Sequence, residues 1–230
     1  MRFYAPEFLQ KLPDWLAPVN DLPSATETSE CSLVRKPFLF SGEGEPFMVD
    51  VIRAMRLIRG AKRYIEVGTW DKGCLAYNST LLDRSAHLID VDIDSRPDSS
   101  KALRAFLPVT QKLTTIVGDS TAAETLGAVR EALGDSLADA AFIDGNHAAD
   151  YAWADFVNFS KLVRPGGLLL FHDIYWNGEG TTLGTSRAME QMDRFTPVYA
   201  VFGSDPVHRY QPYFPQAPAV WGGVGILRPR

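Results

Sequence analysis

Four side chains that could do metal or proton-transfer chemistry follow two apolar runs of the chain. Asp144 and His147 come just after the run 141–143, and His172 and Asp173 end a later apolar run. A carboxylate with a base three residues on, close to a second acid, suits a metal ion that holds a hydroxyl and a base that deprotonates it. The pattern therefore predicts an active site in which two strands bring acids to one rim.

The elements that must position these residues alternate between strand and helix. Apolar runs predict strands at 63–67, 87–91, 113–117, 140–143 and 167–171, and helical spacing predicts helices at 73–82, 99–107, 121–133, 148–163 and 182–195. Continuous apolar strands that alternate with helices are typical of a parallel sheet covered on both faces. Two further strands, at 197–202 and 220–227, complete a predicted α/β fold with a doubly wound, seven-stranded, mostly parallel sheet and an antiparallel C-terminal edge.

A glycine-bearing turn follows the first predicted strand. Gly68 and Gly73 match the outer glycines of a phosphate loop, but Cys74 stands where such a loop requires lysine. The dinucleotide fingerprint also fails, since Thr69 and Trp70 interrupt Gly-x-Gly. Doubly wound sheets bind ligands at this edge, so the turn indicates a nucleotide site without a phosphate cradle.

Acids at successive strand ends indicate which ligand that site takes. Glu66 could pair with an amino group, Asp92 could accept hydrogen bonds from both ribose hydroxyls, and Asp119 with Ser120 could meet an adenine edge. Each of these residues could also be a solvated loop residue or a helix cap, so their order along the chain carries the hypothesis. Contacts to an amine, a ribose and an adenine describe S-adenosylmethionine.

The segment 47–228 resembles the class I S-adenosylmethionine-dependent methyltransferases. Glu66-Val67-Gly68-Thr69 is similar to the first motif of that family, and Pro165-Gly166-Gly167 before the fifth strand is similar to another of its features. The resemblance implies an enzyme that transfers a methyl group, with Glu66, Gly68, Thr69, Asp92, Asp119 and Ser120 at the cofactor.

The segments that end at His147 and Asp173 resemble the metal-dependent O-methyltransferases, most closely the branch that acts on macrolide sugars and includes proteins named cephalosporin hydroxylases. That resemblance implies Asp144 and Asp173 as ligands of Mg²⁺, with Mn²⁺ as the alternative, and His147 as the base. The family has an acid where this chain has His172. His172 is therefore a third ligand, a hydrogen-bonding partner of the ligands, or a packed strand residue.

Three other functions remain open from the sequence. Catechol and phenol O-methyltransferases share the metal-aspartate logic, but they carry Asp-Asn after strand five and lysine as base, so His147 and His172 favour a sugar, glycoside or oligosaccharide hydroxyl. A non-catalytic S-adenosylmethionine-binding subunit of an oxygenase is the alternative of a different class. Two acids with a histidine could also imitate an iron site. Aromatic residues near the predicted ligands, Tyr175 and Trp176, suit a sugar ring.

The bulk properties fit one globular domain. With 46% hydrophobic residues in 230, we expect a single domain at 46–230 preceded by an extended, proline-rich arm at 1–45. A net charge of −5 without a basic cluster argues against nucleic acid, and no apolar stretch predicts a membrane span. Two cysteines fit a reducing, cytoplasmic location, and the arm suggests a homodimer or larger assembly.

Overall fold

The structure is a computed structural model that describes residues 54–176, 198–201 and 221–227. The first described residues, Ala54 and Met55, are helical, and Arg56–Ile58 forms a 3₁₀ turn. The predicted arm and the predicted helix at 182–195 lie outside the described residues. No helix within the described ranges is long and apolar enough to cross a membrane.

Within the described residues seven strands form one sheet, which confirms the predicted fold class. In chain order they are β1 Arg63–Val67, β2 His87–Asp92, β3 Lys112–Val117, β4 Ala138–Ile143, β5 Val163–Trp176, β6 Val198–Val201 and β7 Trp221–Leu227. Their order across the sheet is β3-β2-β1-β4-β5-β7-β6. Strands β1 to β5 pair in parallel, and β7 runs antiparallel to both β5 and β6. The chain reverses direction across the sheet between β1 and β4, which opens a crevice at their carboxyl ends.

In the described range 54–176, four helices join the parallel strands, and both faces of the sheet are covered. They are α1 Gly73–Leu81, α2 Pro97–Phe106, α3 Ala123–Leu133 and α4 Ala149–Phe159. Alternate residues of a strand point to opposite faces, so β1 sends Tyr64 into a core shared with α1 and α2 and Ile65 into a core shared with α3 and α4. Both side chains are fully buried, which is why the strands carry no polar alternation.

The connection from α4 to β5 differs from the prediction. The helix ends at Phe159 rather than at residue 163, and β5 begins at Val163. Ala138 of β4 pairs with Val163 and Ala140 pairs with Leu168, so the register of β5 shifts across Pro165 and the two glycines that follow it. Proline donates no backbone hydrogen bond, and Gly166 takes φ 76°, so this stretch bulges before the regular pairing starts.

Candidate active site at the carboxyl ends of the strands

A cavity of about 460 Å³ lies over the carboxyl ends of β1 to β4. Its volume falls in the range of small-molecule sites, and its position is the crevice where doubly wound sheets hold ligands. Five of the predicted site residues line it, namely Gly68, Asp92, Asp119, Ser120 and Asp144. The structure thus brings residues from four strand ends, distant in sequence, to one cavity.

Gly68, in the loop after β1, lies against the backbone of Asp144, in the loop after β4. It has φ 79°, and a Cβ atom there would overlap the carbonyl oxygen of Asp144. Its amide donates to the carbonyl oxygen of Val91 at 2.9 Å, and the Asp144 amide donates to the carbonyl oxygen of Val67 at 2.9 Å. Only glycine fits here, because the backbone needs a left-handed conformation and has no room for a side chain.

Asp92 presents a fixed carboxylate to the cavity. Its Oδ2 accepts the Trp70 amide at 2.7 Å, and its Oδ1 accepts the Asp94 amide at 2.9 Å. A carboxylate offers about four acceptor sites, so these two amides orient the group and leave lone pairs for a ligand. That arrangement suits a pair of adjacent hydroxyls.

Thr69 and Glu66, both predicted at the cofactor, lie behind the lining of the cavity. The Thr69 hydroxyl donates to Asp90 Oδ1 at 2.6 Å, within the protein interior. Glu66 is 1% exposed, and its Oε2 accepts the Tyr64 hydroxyl at 2.7 Å and the Asn78 amide at 2.9 Å. Burial raises the pKa of Glu66 to about 7, so this carboxyl is partly protonated at neutral pH.

The turn after β3 carries the residues predicted to meet adenine. Asp119 Oδ1 accepts the backbone amide of Thr121 at 2.8 Å and its hydroxyl at 2.7 Å, and these bonds lower the pKa of Asp119. Behind the neighbouring Ser120 stands Asp155 of α4, which is 1% exposed. Burial raises the pKa of Asp155 to about 7. The sequence did not single out Asp155, because an acid on an amphipathic helix is expected to face solvent.

Asp144 is the centre of the predicted catalytic group. Its Oδ1 lies 3.2 Å from His147 Nε2 and 3.0 Å from His172 Nδ1, and 28% of its side chain is exposed. Burial works to raise the pKa of Asp144, but the charge of His172 and hydrogen bonds from both imidazoles hold it well below its usual range. An ionised carboxylate only accepts hydrogen bonds, so His147 carries its proton on Nε2 and His172 on Nδ1.

The predicted metal ligands are described only in part. His172 is 8% exposed, and its ring centroid lies 6.0 Å from that of Phe142. The backbone of Asp173 lies in β5, where pairing with β7 is irregular, and its side chain falls outside the described residues. Within the described part of the chain, no group of three or more His, Cys, Asp or Glu side chains is arranged to hold a metal ion.

Two aromatic side chains that the sequence did not single out line the cavity. Trp70 is 58% exposed and Tyr151 is 40% exposed. The Arg96 guanidinium lies 3.6 Å from the ring centroid of Trp70 and bonds Asp71 at 3.3 Å, which fixes the Trp70 ring by a cation–π contact. The aromatic residues predicted for an acceptor, Tyr175 and Trp176, have side chains outside the described residues.

Known proteins are similar to this chain in sequence or in fold. Residues 65–174 match a family model described as a methyltransferase domain. No curated protein sequence matches the chain. Among solved structures, an O-methyltransferase from Bacillus cereus in complex with S-adenosylhomocysteine is similar over 93% of this chain and 95% of its own, with 14% identity and a TM-score of 0.60.

Two further structures come from biosynthetic enzymes. The O-methyltransferase TomG from Streptomyces achromogenes, involved in tomaymycin synthesis and in complex with S-adenosylmethionine, has 17% identity and a TM-score of 0.57 over 89% of this chain and 88% of its own. MycE methyltransferase of the mycinamycin pathway, in complex with Mg, S-adenosylhomocysteine and mycinamycin VI, has 21% identity and a TM-score of 0.57 over 91% of this chain. This chain spans 55% of the MycE chain. At these identities the likeness establishes the fold.

Proposed function

We propose that this methyltransferase moves a methyl group from S-adenosylmethionine to a hydroxyl of a sugar, glycoside or oligosaccharide, in a Mg²⁺-dependent reaction with His147 as the base. One observation carries the proposal. The Asp144 carboxylate lines the cavity and holds the imidazoles of His147 and His172 within 3.2 Å of its Oδ1. A base and an anionic group therefore meet at the edge of a cavity that suits the methyl donor.

The residues at the cavity fit S-adenosylmethionine. Asp92 would accept the two ribose hydroxyls, and Asp119 with Ser120 would meet the adenine. Gly68 leaves the space that a side chain would fill beside the cofactor. Glu66 would attract the amino group of the cofactor from behind the residues that line the cavity. Thr69 would stabilise the loop after β1. TomG and the B. cereus enzyme, which bind this cofactor or its product, support this assignment.

A divalent cation fits the described donors in charge but not in number. Asp144 supplies an anionic oxygen, which Mg²⁺ prefers, and His172 supplies an imidazole. Asp173, whose backbone follows directly in β5, would supply the second carboxylate. When bound, Mg²⁺ or Mn²⁺ would lower the pKa of the acceptor hydroxyl. The Mg bound to MycE supports this choice of metal.

The chain's own residues account for the proton transfer. Asp144 fixes the tautomer of His147, because its ionised Oδ1 accepts the Nε2 proton. His147 Nδ1 would then take the proton of the acceptor hydroxyl as that oxygen forms its bond to the methyl carbon and the carbon–sulfur bond breaks. Much of the rate would come from positioning, since the sulfonium methyl is already activated.

The acceptor is proposed from the aromatic groups at the cavity. Trp70 and Tyr151 expose their rings, and such faces hold the apolar side of a sugar ring while polar groups bind its hydroxyls. MycE was solved with mycinamycin VI, which supports a small-molecule acceptor.

We further propose that residues 46–230 are the catalytic domain, that residues 1–45 are an arm, and that the enzyme works in the cytoplasm as a homodimer or larger assembly.

A calorimetric titration with S-adenosylmethionine is the first test. Micromolar affinity, about −8 kcal/mol, is expected, and absence of binding in metal-replete buffer would remove the methyltransferase mechanism. Methyl transfer from labelled cofactor would then be measured on glycosides and on catechol, each with Mg²⁺, Mn²⁺ or EDTA. Turnover of catechol alone would support the phenol alternative. Cofactor binding without turnover of either acceptor class would point to an accessory subunit.

A further inference from the structure

Lys72 and Asp90 form an ion pair in the protein interior beside the cofactor cavity. Both side chains are 0% exposed, and Lys72 Nζ lies 3.1 Å from Asp90 Oδ1. Neither residue lines the cavity. Taking two charges out of water costs several kcal/mol per ion, and well-packed apolar residues are often as stable. The pair is therefore weak evidence for stability, and its contacts indicate another role.

The ion pair holds the loop after β1 in a strained conformation. Trp70 has φ 44° and Lys72 has φ 64°, left-handed values that side chains other than glycine rarely adopt. Lys72 Nζ donates to Thr69 Oγ1 at 2.7 Å, and the Lys72 amide donates to the Thr69 carbonyl oxygen at 2.7 Å. Lys72 thus bonds back to Thr69 in the same loop and closes the turn. A phosphate loop would have glycines in such a turn.

Thr69 connects this pair to Asp92. A threonine hydroxyl has one proton, and Thr69 Oγ1 lies 2.6 Å from Asp90 Oδ1 but 3.2 Å from Asp92 Oδ2. The shorter contact receives the proton, so Asp92 keeps its remaining lone pairs. The closed turn also presents the Trp70 amide to Asp92 Oδ2 at 2.7 Å. Lys72 and Asp90 therefore determine both the orientation of Asp92 and its spare capacity to accept hydrogen bonds.

We propose that Lys72 and Asp90 are a buried positioning pair that, through Thr69 and the Trp70 amide, holds Asp92 for the ribose hydroxyls of the cofactor. This inference rests on the proposed function, because it takes Asp92 as the ribose contact. It adds two residues that do not touch the cofactor. It also explains why a charged pair is placed beneath a loop whose exposed residue, Trp70, faces the cavity.

The test compares S-adenosylhomocysteine with its 2′-deoxy analogue by calorimetry. The wild-type protein should prefer the ribose form by about tenfold to a hundredfold, as expected for hydrogen bonds to a charged group. Asp92→Asn should reduce this preference. The double variant Lys72→Met with Asp90→Asn leaves no unpaired buried charge, so it should fold, yet its preference should fall to within about threefold of unity. Lys101→Met, at an exposed lysine of α2, is the matched control and should keep the wild-type preference.

Thr69 supplies a second, milder pair of variants. Thr69→Ser keeps the hydroxyl and should keep the ribose preference, whereas Thr69→Val removes it and should reduce the preference several-fold. A double variant that binds both ligands more weakly by the same factor, or that keeps the full preference, would overturn the inference. Failure of the wild-type protein to bind S-adenosylhomocysteine would instead overturn the proposed function, so the two failures are distinguishable.

Discussion

The two halves of the rim hold their carboxylates in different ways. In the cofactor half, at the ends of β1 and β2, Asp92 is held by the backbone amides of Trp70 and Asp94. In the catalytic half, at the ends of β4 and β5, Asp144 is held by the imidazoles of His147 and His172. Backbone amides do not titrate, whereas imidazoles change charge near neutral pH. On the proposed function, the groups around Asp92 keep a fixed geometry and those around Asp144 would take part in proton transfer.

The groups that hold Asp144 can therefore change charge near neutral pH, whereas the groups that hold Asp92 cannot. Asp144, whose pKa lies below its usual range, contributes stability above the unfolded-state pKa, and this contribution is lost as pH falls through the folded-state pKa. Near neutral pH it stays ionised and keeps its orienting role. The contacts that hold Asp92 should therefore persist between about pH 6 and 8, while turnover should fall on acidification because a general base must be unprotonated to act.

The largest effect is expected from His147→Ala. Loss of a general base lowers turnover by about a hundredfold to ten-thousandfold, while the cofactor half keeps its contacts. Single-turnover kinetics and calorimetry on the same sample measure both halves. His87→Ala is the matched control. His87 lies on β2 and forms a hydrogen bond of 2.8 Å with Thr114, and neither residue lines the cavity. A parallel loss of cofactor affinity in His147→Ala would break the division into two halves.

The fold and the location of the site followed from local patterns. Apolar runs predicted the strands, and an acid directly after a run, as at Asp144, predicted a rim residue because parallel strands end at one edge. The position of Gly68 was predicted from its turn. Such features need only neighbours in sequence.

The contacts behind the rim were not predicted, because they join distant residues through packing. Lys72 and Asp90 lie 18 positions apart, and a lysine in a polar loop is expected to be solvated. Asp155 was expected to face solvent because it is an acid on a helix, yet it lies on the buried face with Ala152 and Phe159. The helix α4 also ends earlier than its apolar spacing indicated. The residues from Val163 onwards, including the bulge at Pro165, belong to β5.

Gly68→Ala tests the contact between the two halves, where Gly68 lies against the backbone of Asp144. The added Cβ would overlap the carbonyl oxygen of Asp144 in a left-handed backbone, so the two loops must separate. We expect a loss of about 2 to 4 kcal/mol in the free energy of unfolding, with both cofactor affinity and turnover reduced. Urea unfolding and the two assays above measure these effects.

Gly145→Ala is the control for the contact between Gly68 and Asp144. A Cβ there would lie 3.5 Å from Val67 Cγ1 and 3.7 Å from Asp155 Oδ2, which are ordinary contacts. It should cost less than about 1 kcal/mol, as small changes away from strained sites do. If the two alanine variants lose stability equally, the close approach of Gly68 to Asp144 is not what joins the halves.

The smallest effect concerns Asp155, which stands behind the cofactor half. Burial raises its pKa from 3.8 to about 7, so the folded protein binds a proton that the unfolded chain has released between these values. Stability therefore falls as pH rises from about 4 to 7 and levels off above that. Asp155→Asn keeps the shape without the charge, and it should remove this slope and raise the free energy of unfolding at pH 8 by about 1 to 3 kcal/mol.

Urea unfolding at pH 5 and pH 8 measures the slope, with Asp150→Asn, at an exposed position of the same helix, as the control. Cofactor affinity decides how Asp155 relates to the two halves. Both of its oxygens are buried, and Ser120 lies near enough to lower its pKa. An unchanged affinity in Asp155→Asn would make it a structural carboxyl. A pH-dependent affinity that this variant abolishes would show that Asp155 titrates beside the cofactor, and the contrast with Asp144 would then be one of degree.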